Sequence, residues 1–293
     1  MMSKLILGTA QFGMSYGINN LLGKPDSDEV FKVLLTAYNN GIRKLDTAEV
    51  YGNAHELIGE FHSKYPEYKY DVITKITFGE NNSVRNKVLK IIKYLRVDFL
   101  HTIMFHSYDS YCKLSENDKI ELNYLKKNNF IKHIGVSLYH NSEIESVISD
   151  CLIDIIQMPY NLLDNKNQRG NIIDKIKMTE KKIHTRSAFL QGLLLMDSNT
   201  QSKIYNKFKS EISFLNEISK NLGIKLSHLA LSYCVDNLNI DNVIVGVDSC
   251  DHLNEIIEFE KKSRLSLEVH SSINNIKVNN NDFLLPINWN IIE

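Results

Sequence analysis

The sequence predicts an α/β fold, a single-domain (β/α)8 barrel of the TIM type, on three observations. Eight short apolar runs alternate with longer segments that have helical spacing. A helix between two strands carries the chain back to the end of the sheet where the first strand began, so the second strand pairs parallel to the first. The length of 293 residues fits eight such units closed into one barrel. The alternative, an open doubly wound sheet, is less favoured because GTAQFG (8–13), after the first run, lacks the GxGxxG spacing of a dinucleotide-binding turn.

Each predicted element has a local signal in the sequence. The strand-like runs are 5–9, 42–46, 71–75, 99–106, 131–137, 153–158, 182–187 and 242–247. Segments with apolar residues at helical spacing are 27–41, 83–95, 141–149, 227–235 and 251–259. In the third of these segments, Asn141 or Ser142 is the predicted N-cap.

We expect one domain over residues 1–293, in which the last part, residues 261–293, forms a tail. The tail is rich in asparagine and has a few large apolar residues. It is predicted to pack on the barrel through Phe283, Leu284, Leu285 and Trp289, and a disordered tail is the alternative.

Composition and charge argue against several classes of function. The net charge of −1 gives no field that would attract nucleic acid or an anionic membrane. No apolar run approaches the ~18 residues of a transmembrane helix. The four cysteines have no CxxC spacing. The first residues, MMSKLILGTA, do not resemble a signal peptide, because they contain one lysine and then continue into a strand. We therefore expect a cytoplasmic protein with free thiols. The histidines do not have the spacing of a zinc site, so no metal site is predicted.

Four titratable side chains lie near the ends of three successive strand-like runs. Asp46 ends the second run, Tyr51 follows on its loop, Lys75 ends the third and His106 the fourth. Active sites of parallel barrels form at the carboxyl ends of the strands, so these side chains are predicted to converge. Each alone has an ordinary structural explanation, but a chance convergence of all four is less plausible. His101 competes with His106, and the strand-end rule favours His106 because His101 lies inside the run.

The four side chains together suit proton transfer to a carbonyl oxygen. A tyrosine ionises near pH ~10, so it is a poor acid at neutral pH unless its phenolate is stabilised. A neighbouring ammonium stabilises the phenolate, and a carboxylate keeps the ammonium charged and oriented. A histidine can orient the carbonyl or assist the transfer. No protein nucleophile stands out, so a hydride from a cofactor fits this pattern.

The chain resembles the aldo-keto reductase superfamily, in a bacterial branch, over nearly its whole length. The matching motifs are LGTAQFG (7–13), LDTAEVYG (45–52), VITK (72–75), FH (105–106), IGVS (134–137), QMPYN (157–161), RSAFLQGLL (186–194) and VIVGVDSCDHLNE (243–255). The resemblance implies a barrel that reduces an aldehyde or ketone to an alcohol with NAD(P)H. It also implies a catalytic tetrad of Asp46, Tyr51, Lys75 and His106, with Tyr51 as the general acid.

The same resemblance implies where the cofactor binds. The implied cofactor-binding residues are Gly8, Thr9, Asp46, Ser137, Gln157, Arg186, Ser187, Phe189, Gln191, Gly246, Ser249, His252 and Glu255. NADPH is the expected cofactor, and NADH is the alternative because His252 stands where an arginine often holds the 2′-phosphate. The Ser249 hydroxyl and the amino end of the last helix could hold one phosphate without a lysine.

Aromatic residues on the loops predict the substrate pocket. Phe12, Tyr16, Tyr108 and Tyr139 are the predicted contacts, and an aromatic rim suits a ring or a sugar face. The resemblance suggests a keto sugar of surface-polysaccharide biosynthesis as one substrate. The alternative functions are a dinucleotide-binding regulatory subunit and a non-redox barrel lyase or epimerase. We expect a small-molecule partner and a monomer or weak homodimer.

Overall fold

Eight parallel strands close into a barrel in chain order, with β8 paired to β1, in the computed structural model of the chain. The structure describes residues 3–20, 22–77, 83–197, 200–262 and 264–291. The strands are β1 Leu5–Gly8, β2 Lys44–Ala48, β3 Asp71–Ile76, β4 Leu100–Phe105, β5 Ile131–Ser137, β6 Ile155–Pro159, β7 Lys182–Arg186 and β8 Asn242–Gly246. This arrangement confirms the predicted (β/α)8 barrel.

Helices connect the strands and form the outer layer of the barrel. They are α1 Ala10–Gly13, α2 Ser27–Asn39, α3 Ala54–Lys64, α4 Val84–Leu95, α5 Tyr108–Cys112, α6 Glu116–Lys127, α7 Asn141–Val147, α8 Lys166–Lys177, α9 Lys203–Lys207, α10 Lys209–Asn221, α11 Leu226–Asp236, α12 Cys250–Lys261 and α13 Leu267–Asn274. Three 3-10 segments cover Leu190–Leu195, Asn281–Leu284 and Pro286–Ile291. Across the part of the chain that the structure describes, no helix combines the length and apolarity needed to cross a membrane.

All eight predicted strands form, but two local predictions need correction. Strand β2 continues to Ala48 because Ala48 pairs with Lys75 of β3, so Asp46 lies inside the strand and not at its end. Helix α7 starts at Asn141 with His140 as its N-cap, one residue before the first predicted cap. The Glu143 carboxylate accepts the backbone N–H of His140 at 2.9 Å, which stabilises this earlier start.

An apolar layer fills the inside of the barrel below the carboxyl ends of the strands. It consists of Ile6, Ile73, Met104, Ile155 and Ile244. Each of these residues lies two positions before a polar residue or glycine near the strand end, and side chains two apart on a strand share a face. The layer therefore forms a dry floor directly beneath those strand-end residues.

The C-terminal tail contacts the barrel through apolar side chains and side-chain amides. Leu284, Leu285 and Trp289 are buried, and the Trp289 indole donates to the Phe283 carbonyl at 2.8 Å. The buried Asn165 amide donates to the Ile273 carbonyl at 2.8 Å. The described part of the tail is thus anchored against the loop before α8.

Candidate active site

Pairing between β2 and β3 brings an acid and a base together inside the barrel. Asp46 and Lys75 point inward from adjacent strands, and each side chain is almost fully buried. The Lys75 ammonium donates to the Asp46 Oδ1 atom, and Gln157 of β6 donates to Oδ2 at 2.9 Å. Burial lowers the pKa of Lys75, but the charges of Asp46 and Tyr51 and the hydrogen bonds to both side chains together raise it overall. Lys75 therefore stays an ammonium at neutral pH.

Tyr51 lies on the loop after β2, and its hydroxyl is 3.4 Å from the Lys75 Nζ atom. Two glycines permit this loop position. Gly52 has a φ of 51°, and a Cβ on it would lie 2.2 Å from the Gly13 carbonyl oxygen. A Cβ on Gly13 would lie 1.7 Å from the Tyr51 carbonyl oxygen. Only glycine allows α1 to contact the loop this closely, and this backbone contact positions the Tyr51 backbone from which the ring projects.

His106 follows β4 directly and faces the Tyr51 ring. The two ring centroids are 6.1 Å apart with an interplanar angle of 89°. Burial lowers the pKa of His106 to about 4, and the Lys75 charge adds to the effect. His101, the competing histidine, instead bonds to Thr102 at 2.8 Å and lies beside His133. The structure thus brings His106, and not His101, to the cluster.

The His106 imidazole is expected to stay neutral over the whole range from pH 8 to pH 5. The lowered pKa has a stability cost: the unfolded chain takes up this proton near pH ~6.5, so stability falls as the pH drops below that value. NMR titration of the ring nitrogens tests this, with the signal assigned by its loss in His106→Gln. A midpoint near 6.5 would contradict the buried, cation-flanked environment.

The cluster opens into a cavity of about 930 Å³ at the carboxyl ends of the strands. Asp46, Tyr51, Lys75 and His106 all line it. Eleven of the predicted cofactor residues, including Asp46, also line the cavity. They are Gly8, Thr9, Asp46, Ser137, Arg186, Ser187, Phe189, Gln191, Gly246, His252 and Glu255. Of the predicted substrate contacts, Tyr16 and Tyr139 line it. This volume lies in the upper part of the ~300–1,000 Å³ range of small-molecule sites.

Two of the predicted cofactor residues lie behind the cavity wall. Gln157 is fully buried beneath Asp46, and its Oε1 atom has no hydrogen-bond partner among the described residues. Ser249 is the N-cap of α12, where its hydroxyl accepts the His252 N–H at 3.2 Å. The Gln157 amide nitrogen donates to Asp46 while its oxygen has no partner, and the Ser249 hydroxyl accepts one hydrogen bond and keeps its own O–H to donate.

Two predicted substrate residues, Phe12 and Tyr108, do not line the cavity. Phe12 is 1% exposed because α1 turns its ring into the hydrophobic core. Tyr108 stacks on Tyr111, and its hydroxyl accepts from Ser146 of α7 at 3.0 Å. Tyr16 and Tyr139 remain as the aromatic wall. The Arg186 guanidinium stacks on the Tyr139 ring, 4.1 Å from its centroid.

Further residues line or border the cavity besides the predicted contacts. Gln11 lies against Gly246, where a Cβ would be 2.6 Å from its amide nitrogen. Lys225, just before α11, also lines the cavity, as does Asp248 after β8. Gln11 is part of the LGTAQFG motif and could have been found there, but no motif marks Lys225. Within the described ranges, no group of three or more His, Cys, Asp or Glu residues could hold a metal ion.

Comparisons with known proteins agree with this geometry. A model of the aldo/keto reductase family matches residues 4–278. The chain belongs to the aldo/keto reductase family. Membership makes it an NAD(P)H-dependent oxidoreductase that acts on small-molecule carbonyl compounds.

Individual relatives of this reductase are distant. A Schizosaccharomyces pombe protein, by name an aryl-alcohol dehydrogenase, is 29% identical over 163 residues, which cover 53% of this chain and 45% of that one. A probable voltage-gated potassium channel subunit beta of Oryza sativa subsp. japonica is 23% identical, covering 84% of this chain and 85% of that one. The holo structure of an aldo-keto reductase from Bacillus halodurans aligns with a TM-score of 0.76 at 19% identity, covering 93% and 91% of the two chains. At that identity the structural likeness shows the fold alone.

Proposed function

We propose that this reductase converts an aldehyde or ketone to an alcohol with Tyr51 as the proton donor to the carbonyl oxygen. The observation that carries the proposal is the buried Lys75–Asp46 pair beside the Tyr51 hydroxyl, at the wall of a large cavity. The nicotinamide cofactor, when bound, supplies the hydride to the carbonyl carbon. All other steps belong to side chains of the chain itself.

Lys75 stabilises the charge that develops when Tyr51 gives up its proton. Its ammonium is 3.4 Å from the phenolic oxygen and is shielded from water, so the attraction to a phenolate is stronger than in solution. Asp46 holds the ammonium in place through Oδ1, and Gln157 holds Asp46 through Oδ2. The three side chains thus form a preorganised support for one proton transfer.

His106 orients the substrate carbonyl. With a pKa of about 4 its ring is neutral at pH 7, so it can donate one hydrogen bond without adding a second cation beside Lys75. Its ring stands edge-on to Tyr51, so a carbonyl oxygen between them would be within reach of both.

The residues fit the nicotinamide end of a cofactor. The unpartnered Gln157 Oε1 atom is a buried acceptor, and a buried acceptor without a partner is costly. Ser137 pairs with Gln157 in the sheet and offers a hydroxyl at the cavity. A carboxamide has an NH2 group that donates and a carbonyl oxygen that accepts, and these match the Gln157 oxygen and the Ser137 hydroxyl. Arg186, stacked on Tyr139, would lie against the nicotinamide ring.

For the substrate we propose a carbonyl compound with a hydroxylated ring, such as a keto sugar. Tyr16 and Tyr139 offer aromatic faces, and the Tyr16 hydroxyl already accepts from the Gln191 amide at 3.0 Å. Reduced-nicotinamide absorbance, followed over a panel of simple aldehydes, ketones and keto sugars, tests the proposal. Oxidation of the cofactor with keto sugars is expected. Efficient reduction of simple aldehydes without any turnover of keto sugars would contradict the sugar assignment.

The two alternative functions make different predictions in the same assay. A regulatory subunit would bind the dinucleotide tightly without turnover, and a lyase or epimerase would neither oxidise nor need it. The assembled cluster of Asp46, Tyr51, Lys75 and His106 favours the enzyme over both. We propose a monomer or weak homodimer.

A further inference from the structure

One wall of the cavity carries four charged or titratable side chains. Lys225, Asp248, His252 and Glu255 line the same cavity as Tyr51, but they come from the loop after β8, from α12 and from the start of α11. If hydride is delivered beside Tyr51, the rest of a dinucleotide must occupy the remaining cavity. The nucleotide half then lies against this wall.

Both basic side chains on this wall already have an acidic partner. The Lys225 Nζ atom is 2.5 Å from Glu255 Oε1, and the His252 Nδ1 atom is 3.0 Å from Asp248 Oδ1. The hydrogen bond from His252 lowers the pKa of Asp248, so this carboxylate stays charged at neutral pH. The Lys225 pair is exposed and therefore weak, but any phosphate that reached Lys225 would also meet Glu255.

The amino end of α12 is occupied too. A helix N-terminus binds anions through its free N–H groups. Here the Glu29 carboxylate, from α2, accepts the Cys250 N–H at 2.7 Å. The Ser249 hydroxyl accepts the His252 N–H at 3.2 Å. A third carboxylate thus takes the place where the sequence suggested that a phosphate could bind.

We propose that this wall selects NADH over NADPH, with Asp248 as the discriminating residue and Glu255 as its support through Lys225. The inference rests on the proposed use of a nicotinamide dinucleotide. NADPH differs from NADH by a 2′-phosphate dianion, which needs fixed cations. Asp248 and Glu255 oppose that dianion, whereas a carboxylate readily accepts a hydrogen bond from the 2′-hydroxyl of NADH, as in many NAD sites. The preference is opposite to the NADPH expected from the sequence.

Direct binding measurements test the proposal without any substrate. NADH and NADPH are titrated separately against the purified protein by fluorescence and calorimetry. We expect NADH to bind at least tenfold more tightly at low salt, with the ratio shrinking as salt screens the carboxylates. Equal or tighter binding of NADPH would overturn this inference alone. Failure of both dinucleotides to bind would overturn the proposed function and this inference with it.

Charge-neutral variants identify the residues responsible. Asp248→Asn and Glu255→Gln each remove one negative charge and should lower the NADPH Kd about threefold to tenfold, while the NADH Kd stays equal or rises. Glu258→Gln is the matched control, because Glu258 is exposed on the same helix outside the cavity. If the two cavity variants shift the NADH-to-NADPH ratio no more than the control does, the assignment of this wall is wrong.

Discussion

Tyr51→Phe is expected to lower kcat by about 10²–10⁴-fold while the dinucleotide Kd stays within about twofold. The substitution removes only the hydroxyl, which is 3.4 Å from the Lys75 ammonium and is the proposed proton donor. The ring and its edge-on contact with His106 stay in place. Steady-state kinetics with the best carbonyl substrate, together with dinucleotide titration, measure the two effects separately.

Tyr16→Phe is the matched control for this experiment. Tyr16 also presents a hydroxyl at the cavity, but that hydroxyl bonds to Gln191 and not to Lys75. Its loss should change KM and leave kcat within a few-fold. A Tyr51→Phe variant that keeps the native rate would show that another group donates the proton.

Asp46→Asn is expected to have the second-largest effect, on both stability and activity. It leaves the buried Lys75 ammonium without its counter-charge, and breaking a buried ion pair costs about 3–5 kcal/mol. Activity should fall as well, because the ammonium that supports Tyr51 is no longer held. Urea unfolding at neutral pH gives the change in the free energy of unfolding.

The pH dependence of this loss follows from the pKa of Lys75. Asp46 raises that pKa against the lowering effect of burial, so the pair stabilises the folded state below the ordinary lysine pKa of 10.5. The contribution of this ion pair to stability is lost as the pH rises through the raised pKa of Lys75. The native protein and the Asp46→Asn variant should therefore differ less in their free energy of unfolding in strong alkali. Asp109→Asn is the control, since Asp109 pairs with Lys113 on the exposed surface and such pairs contribute about 0–1 kcal/mol. Equal effects of the two substitutions would contradict the buried-pair assignment.

The barrel could be predicted because its signals are local and repeated. Each apolar run and each helical segment is visible within about ten residues, and a single connection type joins them. The approximate position of the cluster followed from one geometric rule, that strand ends meet at one face of the barrel. That rule placed Lys75 and His106 without knowledge of any contact.

The direction in which a side chain points could not be predicted from its position along the chain. Phe12 and Tyr108 lie on segments near the cavity, but one ring turns into the core and the other stacks on Tyr111. A short helix of four or five residues has no periodicity long enough to reveal which side faces the site.

The sequence by itself determined the barrel and the family, and it predicted that Asp46, Tyr51, Lys75 and His106 lie near one end of the barrel, because these depend on local pattern and chain order. Only the tertiary structure decided which charges are neutralised. Lys225 meets Glu255 across 30 residues, and Glu29 reaches the Cys250 N–H across 221. Coulomb interactions depend on separation in space and on burial, and neither can be read from positions along the chain. For this reason the tertiary contacts favour NADH, whereas the sequence alone favours NADPH.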